Sequence, residues 1–247
     1  MALDRTLAFS TVFNFRDLGG LVGVHGRAVR HGRLYRSDGL HRLAGDDLTD
    51  FAELGIRTVL DLRRPDELEA EGRIVDSPDR TYHHVNFQSQ VWPEADLTPE
   101  DMPRFLADRY GEMADAALNG DVPVGYCLRL IADAQALPLV FHCAAGKDRT
   151  GVLAALTLSL LGVDDDDVAF DYARTAEARH RFARFERERR REDWALTVWE
   201  INPAPAEAMR LFLAELRERY GSVAEYARRA GLDDGHLDAL RAELLSD

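Results

Sequence analysis

The chain has 247 residues, two cysteines, a formal net charge of −13 and no apolar run of membrane-spanning length. The cysteines are too few for a disulfide framework, and the negative charge disfavours binding to nucleic acid and to anionic lipid surfaces. No opening stretch has the pattern of a secretory leader. We therefore expect a cytoplasmic protein that binds no nucleic acid and does not insert stably into a membrane, with leaderless export as an open alternative.

The first half of the chain predicts short strands between turns and helices. Six glycines among the first forty residues break any long helix. Runs of β-branched and apolar residues predict strands at 32–37, 56–62 and 82–87. Segments that end at glycine predict helices at 45–55 and 65–72.

The second half is dominated by helical periodicity. It predicts helices at 98–118, 122–135 and 150–161, a short strand at 137–142, and an almost wholly helical region after Gly162 with a break near 194–205. Cys127 lies in the second of these helices and is expected to be a core residue, because nothing around it would activate a thiol. Within 179–191 arginines interleave with glutamates, which favours a solvated helix over a phosphate-binding patch.

Strands that alternate with helices, without a linker or a repeat, predict one α/β domain. We expect a central, mostly parallel sheet flanked by helices, with a helical C-terminal part. Ligand sites in such a sheet form at the carboxyl ends of the strands, which directs attention to the segment after the strand at 137–142.

Residues 142–151, His-Cys-Ala-Ala-Gly-Lys-Asp-Arg-Thr-Gly, join that strand to the next helix. A loop that enters a helix N-terminus aims backbone N–H groups and the positive end of the helix dipole at one point, and that point binds an oxyanion. Ala144, Ala145 and Gly146 are small enough for the loop to curl around a phosphate. Arg149, six positions after Cys143, reaches back with a planar fork that can engage two phosphate oxygens.

Cys143 is the candidate nucleophile of this loop. The helix N-terminus and Arg149 both favour its thiolate form, which attacks without a general base. The alternative is a small apolar residue at the end of a buried strand, but Cys-x5-Arg at a strand-to-helix junction favours the nucleophile. His142 is expected to shape the loop rather than to transfer a proton, and Thr150 either hydrogen-bonds the Cys143 sulfur or caps the helix.

The loop resembles the active-site signature of the cysteine-based protein tyrosine phosphatases, His-Cys-x5-Arg-Ser/Thr-Gly, and matches it from His142 to Gly151. A narrower resemblance is to the bacterial tyrosine and lipid phosphatase family that has mycobacterial members. It rests on Asn-Phe-Arg-Asp-Leu-Gly-Gly at 14–20, Leu-Tyr-Arg-Ser at 34–37, Val-Leu-Asp-Leu-Arg at 59–63, Glu67 and the Gly-Lys-Asp-Arg centre of the loop. The resemblance implies a protein tyrosine phosphatase-like fold in a single phosphatase domain, 1–247, with a catalytic core at 10–175 and a helical extension or lid at 176–247.

The resemblance also implies the chemistry. Members of this family hydrolyse phosphotyrosine, and often phosphoserine, phosphothreonine or phosphoinositides, without a metal or another cofactor. The expected partner is therefore a phosphorylated protein or a phosphoinositide. The rival functions are sulfur transfer, arsenate reduction and phosphate binding without catalysis. The Arg-Thr-Gly ending and Asp148 argue against the first two, and the intact pair of Cys143 and Arg149 argues against the third.

Phosphoryl transfer to Cys143 needs an acid that protonates the departing oxygen. Asp148 lies inside the loop, where the charge of a phosphate dianion favours a protonated carboxyl group. Asp61 ends the strand at 56–62, at the same edge of the sheet. The Lys-Asp-Arg centre of the resembled family's loop favours Asp148, with Asp61 in reserve. The alternative role of Asp148 is a hydrogen-bonded brace for Arg149 or for the loop amides, which Asp61 could also fill.

Two further sets of polar residues belong to the expected site. Lys147 is either a solvated charge or a second cation at the pocket rim, and a second cation would favour inositol lipids or doubly phosphorylated substrates. A polar brace near the pocket is expected from Asn14, Arg16 and Asp17.

Overall fold

Five short strands form one sheet within the residues that this computed structural model describes, which are 5–87, 92, 97–120, 123–190 and 204–247. The strands are β1 (Arg16–Asp17), β2 (Leu34–Ser37), β3 (Thr58–Asp61), β4 (Thr81–His84) and β5 (Leu139–His142). Their order is β1-β2-β5-β3-β4; β1 is antiparallel to β2 and the other pairings are parallel. β5 therefore lies at the centre of the sheet.

Alternate residues of the central strand pack on opposite faces of the sheet. Leu139 and Phe141 belong to the larger apolar cluster, whereas Val140 belongs to the smaller one. Because successive side chains of a strand point to opposite faces, both faces of β5 are covered. Parallel strands buried in this way have nearly continuous apolar sequences, as this strand has.

Helices cover both faces. The α-helices that the structure describes are α1 (Asp46–Glu53), α2 (Pro65–Glu71), α3 (Met102–Leu118), α4 (Val124–Ala132), α5 (Asp148–Leu160), α6 (Asp165–Ala173), α7 (Thr175–Arg190), α8 (Ala206–Tyr220), α9 (Val223–Arg229) and α10 (Asp234–Leu244); two short 3-10 helices lie at Val24–Gly26 and Leu40–Arg42. α5 follows the central strand and is buried along most of its length, which explains why it is apolar on nearly every side. None of these described helices is long and apolar enough to cross a membrane.

The structure confirms the predicted α/β class, with a central, mostly parallel sheet flanked by helices. The observed strands are shorter than the predicted apolar runs. The two-residue strand β1 was not predicted, because alternation cannot show in so short a segment. The helix predicted at 150–161 begins two residues earlier, at Asp148. The predicted break at 194–205 lies almost entirely outside the described residues.

The C-terminal helices α8 to α10 belong to the same core as the sheet. Phe212 of α8 and Leu240 of α10 lie in one apolar cluster with Leu139 of β5. The Tyr226 hydroxyl of α9 donates a hydrogen bond of 3.1 Å to the Ala114 carbonyl of α3. Residues 204–247 of the expected extension thus form a layer of the core. The lid stays a prediction, and residues 191–203 of that segment lie outside the described part of the chain.

Gly125 of α4 marks a very close contact with the C-terminal helices. A Cβ atom at this position would lie 1.8 Å from the carbonyl oxygen of Ala230. We therefore expect Gly125→Ala to lower the free energy of unfolding by about 1–3 kcal/mol, the usual cost of overpacking a core. Urea denaturation measures this change.

Gly111→Ala in α3 is the matched control. Its added Cβ atom would meet only the flexible end of the Arg219 side chain, at 3.0 Å. Because alanine favours helix over glycine, this variant should be as stable as the wild type or up to about 1 kcal/mol more stable. Equal losses in the two variants would contradict the packing described for Gly125.

Candidate active site

The candidate site lies at the carboxyl edge of the sheet. Ser37 of β2 and Asp61 of β3 are both in register with His142, the last residue of β5. The loop 143–147 follows His142 directly, and α5 begins at Asp148. The ends of three parallel strands therefore meet beside a helix N-terminus, which is where ligands bind in sheets of this type.

The carbonyl groups of this loop accept hydrogen bonds from residues outside the loop. Gly39 N donates to Ala144 O at 3.1 Å, Asn14 Nδ2 donates to Ala145 O at 3.0 Å and to Gly146 O at 3.1 Å, and Arg36 Nη2 donates to Gly146 O at 2.8 Å. In a trans peptide the N–H group points away from the C=O group of the same unit. The N–H groups of Ala145, Gly146 and Lys147 are thus turned toward the inside of the loop, where they line a concavity of the kind that suits an anion.

Gly146 is the residue that the loop geometry requires most strictly. Its φ is +66°, in the left-handed region. A Cβ atom there would lie 2.5 Å from the Ser37 carbonyl oxygen and 2.8 Å from Asn14 Nδ2. Any other residue would both strain the backbone and displace the Asn14 brace.

Cys143 and Arg149 are brought together by the first turn of α5. Cys143 is only 1% exposed, and Arg149 is also buried. The Arg149 guanidinium forms a bidentate ion pair with Glu67 of α2, through Nη1 to Oε2 and through Nη2 to Oε1 at 2.9 Å. Burial alone would lower the pKa of Arg149, but negative charge on Cys143 and on Glu67 outweighs it and raises that pKa. Arg149 therefore stays a fixed cation beside the candidate nucleophile.

Two neighbours of this pair are fully buried. His142 Nδ1 lies 3.3 Å from the Cys143 carbonyl oxygen, and burial lowers the pKa of His142, so a neutral ring that shapes the loop fits its surroundings. Thr150 lies inside the first turn of α5, and the N-cap residue is Lys147. The interpretation of Thr150 as the helix cap is therefore wrong. Its hydroxyl has no hydrogen-bond partner among the described residues.

Asp61 is held in a different environment from Asp148. It is fully buried and accepts hydrogen bonds from Arg63 Nη2 and from the Tyr82 hydroxyl, both at 2.7 Å. Burial alone would raise the pKa of Asp61, but the charge of Arg63 and the hydrogen bonds from Arg63 and Tyr82 outweigh it and hold that pKa well below its usual range. Asp61 is thus ionised near neutral pH and has no proton to donate.

Asp148 faces solvent in part, with 18% of its side chain exposed. Its Oδ1 accepts a hydrogen bond from the Tyr110 hydroxyl at 2.8 Å and pairs with Lys147 Nζ at 3.0 Å. The Lys147 side chain is only 3% exposed, so the interpretation of Lys147 as a solvated charge is wrong. A buried ammonium needs a carboxylate nearby, and Asp148 supplies it.

A buried cluster behind the loop joins three arginines to one carboxylate. Asp171 of α6 accepts from Arg5 Nη2 at 2.9 Å, Arg16 Nε at 3.1 Å and Arg36 Nη1 at 2.7 Å. Arg36 also binds the loop at Gly146 O, and Arg16 Nη1 donates to Asn14 Oδ1 at 2.5 Å. Asp171 therefore supports both braces of the loop.

The cluster includes two of the three residues expected to form the polar brace. Asn14 and Arg16 take part in it, whereas Asp17 accepts from the backbone N–H groups of Gly19 and Gly32, both at 2.8 Å. Asp17 contacts the cluster only through its carbonyl oxygen, which accepts from Arg5 Nη1 at 3.2 Å. Asp171 itself was missed, because an aspartate inside a predicted helix carries no sequence signal for a partner elsewhere.

The sequence model of the tyrosine phosphatase family matches residues 7–246, almost the whole chain. The chain belongs to the tyrosine phosphatase family. The family resemblance inferred from residues 142–151 is thereby confirmed. Within this family, the loop and its braces form the candidate phosphatase site.

Three relatives extend this comparison. A Cupriavidus necator protein assigned by name to the tyrosine-protein phosphatases is 39% identical over 72% of this chain and 65% of the relative, which is less than two thirds of that relative's length. The triple specificity protein phosphatase PtpB of Mycobacterium tuberculosis is 29% identical over 94% of this chain and 96% of the relative. A tyrosine-protein phosphatase of Nostoc commune is 28% identical over 85% of this chain and 73% of the relative.

We expect Asp171→Asn to lower the free energy of unfolding by about 3–5 kcal/mol, because the substitution leaves three buried arginines without their carboxylate. Burial alone would raise the pKa of Asp171, but Arg16 and Arg36 outweigh it and hold that pKa well below its usual range. The ionised group therefore stabilises the fold above about pH 4, and this contribution is lost as the pH falls toward the folded-state pKa.

Urea unfolding at a series of pH values tests this prediction. Wild-type stability should fall on acidification between about pH 5 and pH 1, and the fall should be smaller in Asp171→Asn. Asp76→Asn, which alters an exposed carboxylate paired with Arg73, is the matched control and should change stability by less than about 1 kcal/mol. An Asp171 variant as stable as this control would contradict the supporting role of the cluster.

Proposed function

We propose that this chain hydrolyses phosphate monoesters, foremost phosphotyrosine, through a phosphocysteine intermediate on Cys143 and without a metal ion. The observation that carries the proposal is the convergence of Cys143, the inward N–H groups of the loop and Arg149 at the start of α5. Membership of the tyrosine phosphatase family supports it. A thiolate in an anion-binding loop is the arrangement that attack on a bound phosphate needs.

The phosphate is held by the loop and by Arg149. The N–H groups of Ala145, Gly146 and Lys147, with the small Ala144 beside them, receive the non-bridging oxygens. Arg149 Nε is buried and has no hydrogen-bond partner among the described residues, so this donor is available to the same phosphate. Because these groups supply fixed positive charge where negative charge develops, the reaction needs no metal for that purpose.

The reaction has two steps. In the first, Cys143 Sγ forms a bond to phosphorus while the bond from phosphorus to the ester oxygen breaks, and Asp148 gives its proton to that oxygen. In the second, water attacks phosphorus, the S–P bond breaks to regenerate the thiolate, and Asp148 takes the proton of the water. Thr150 donates a hydrogen bond to the departing thiolate of the second step. Its hydroxyl lies in the first turn of α5, directly after the loop, and has no partner among the described residues.

Burial of the nucleophile favours an aromatic phosphate ester. Cys143 is 1% exposed, whereas Ala144 and Ala145 are half-buried. A phosphate must therefore reach down to the sulfur, and the ring of tyrosine carries the phosphate farther from the peptide backbone than serine does. The name of the M. tuberculosis relative includes triple specificity, so phosphoserine, phosphothreonine and phosphoinositides belong in the same substrate panel.

Cys143→Ser should abolish phosphate release from a phosphotyrosine peptide, because a serine hydroxyl is not ionised at neutral pH. Cys127→Ala is the matched control: Cys127 is equally buried, and burial raises the pKa of its thiol, so this variant should retain the wild-type rate. Phosphate release is measured across the substrate panel. Undiminished release by Cys143→Ser, or no release by the wild type, would contradict the proposal.

Asp148→Asn should lower kcat/KM for an ester with a poor leaving group by about 10²–10⁴-fold, the usual contribution of a general acid. The loss should nearly vanish for a nitrophenyl ester, whose leaving group needs no proton. Asp61→Asn is the comparison, and its effect per folded molecule should be the same for both esters, since Asp61 is held as an anion by Arg63 and Tyr82 and gives no proton. A near-normal rate of Asp148→Asn on the ester with the poor leaving group would mean that another residue is the general acid.

A further inference from the structure

The two oxygens of the Asp148 carboxyl group have different surroundings. Oδ1 accepts the hydrogen bond from the Tyr110 hydroxyl at 2.8 Å and lies 3.0 Å from Lys147 Nζ. No hydrogen bond with another described residue reaches Oδ2, and Oδ1 is the oxygen that pairs with Lys147. One oxygen is therefore anchored, and the other is left for a bound molecule.

The direction of the hydrogen bonds at Oδ1 follows from the chemistry of the donors. The Tyr110 and Tyr172 hydroxyl oxygens lie 2.6 Å apart, and each hydroxyl has one proton. Because Oδ1 can only accept, Tyr110 donates to Asp148 and Tyr172 donates to Tyr110. Burial first, and the nearby Asp148 second, raise the pKa of Tyr110 and of Tyr172 well above the usual value. Both hydroxyls therefore keep their protons.

The packing around the two rings fixes the Tyr110 hydroxyl in place. The Tyr110 ring, on α3, packs edge-to-face on Tyr172 of α6 and on Phe212 of α8, with ring centroids 6.0 Å apart in both cases. Tyr172 also lies against α5, since a Cβ atom at Gly151 would be 2.9 Å from Tyr172 Cδ2. The rings thus connect three helices to the first turns of α5, where Asp148 lies.

We propose that Tyr110, supported by Tyr172, is a positioning residue for Asp148: it anchors Oδ1 so that Oδ2 carries the proton that passes to the departing ester oxygen. This inference rests on the proposed function. It gives α3, a helix whose sequence shows no motif, a part in the first step of the proposed reaction. As the bond from phosphorus to the ester oxygen breaks, the proton moves from Oδ2 to that oxygen. In the second step the proton of the attacking water returns to Oδ2.

The test compares Tyr110→Phe with the wild type on a series of aryl phosphates whose leaving phenols differ in acidity. Tyr110→Phe should lower kcat/KM by about 10- to 100-fold for the least acidic phenols, as expected for a misplaced proton donor, and should leave the nitrophenyl ester nearly unchanged. Tyr172→Phe should show the same dependence on the leaving group with a smaller loss. A purely structural role would lower kcat/KM by the same factor for every ester.

Tyr226→Phe is the matched control, because it also removes a buried hydroxyl that bonds to α3, at Ala114, but it makes no contact with Asp148. It should show no dependence on the leaving group. Tyr110→Phe could lower kcat/KM equally for every ester, or not at all, while the effect of Asp148→Asn still depends on the leaving group. Either result would overturn this inference and leave the proposed function standing. A failure of the proposed function would show in different measurements: the wild type would release no phosphate, or Cys143→Ser would release it undiminished.

A second measurement does not depend on activity. The urea midpoints of Tyr110→Phe, Asp148→Asn and the double variant form a thermodynamic cycle. If the hydroxyl anchors the carboxyl group, the shift of the double variant should be smaller than the sum of the two single shifts. Additive shifts would overturn the anchoring, whatever the kinetic result.

Discussion

The candidate site depends on one constraint of backbone hydrogen bonding. A loop can turn several N–H groups toward one point only if the carbonyl groups of the same peptides find partners on the opposite side, because a buried carbonyl without a partner is costly. Asn14, Arg36 and Gly39 provide those partners here. The positive φ of Gly146 provides the turn itself. The inward orientation of the N–H groups is therefore a product of what surrounds the loop as much as of the loop sequence.

Charge pairing around the loop follows from the same need. The chain carries a formal net charge of −13, yet the cations near the loop are buried and each faces a carboxylate: Arg149 faces Glu67, Arg63 faces Asp61, Arg36 faces Asp171 and Lys147 faces Asp148. Pairing keeps these four cations charged and fixed without a mobile solvent shell. Of these cations, Arg36 and Arg149 each retain a buried Nε that no described residue engages. Under the proposed function Arg149 is the one that binds the phosphate, because it lies beside Cys143 at the start of α5.

The sequence could predict the parts of this site that are local. The strand, loop and helix at 137–161 are signalled by a short apolar run, small residues and a helical pattern, and Cys143 and Arg149 are six positions apart. Glu67 lies 82 residues from Arg149 and Asp171 lies 135 residues from Arg36. Such partners meet only after the helices pack, and neither periodicity nor spacing encodes that meeting. The burial of Lys147 was unpredictable for the same reason.

Environment separates two aspartates that the sequence left as competitors. Both lie at the carboxyl edge of the sheet, but Asp61 is fully buried against Arg63 and Tyr82, which fixes it as an anion. Asp148 is partly exposed and is anchored through one oxygen only. Paired carboxyl groups commonly take different roles for such reasons. The anchor comes from α3, which itself packs on α6 and α8. Helices without a recognisable motif thus hold in place a carboxylate of the loop that has one.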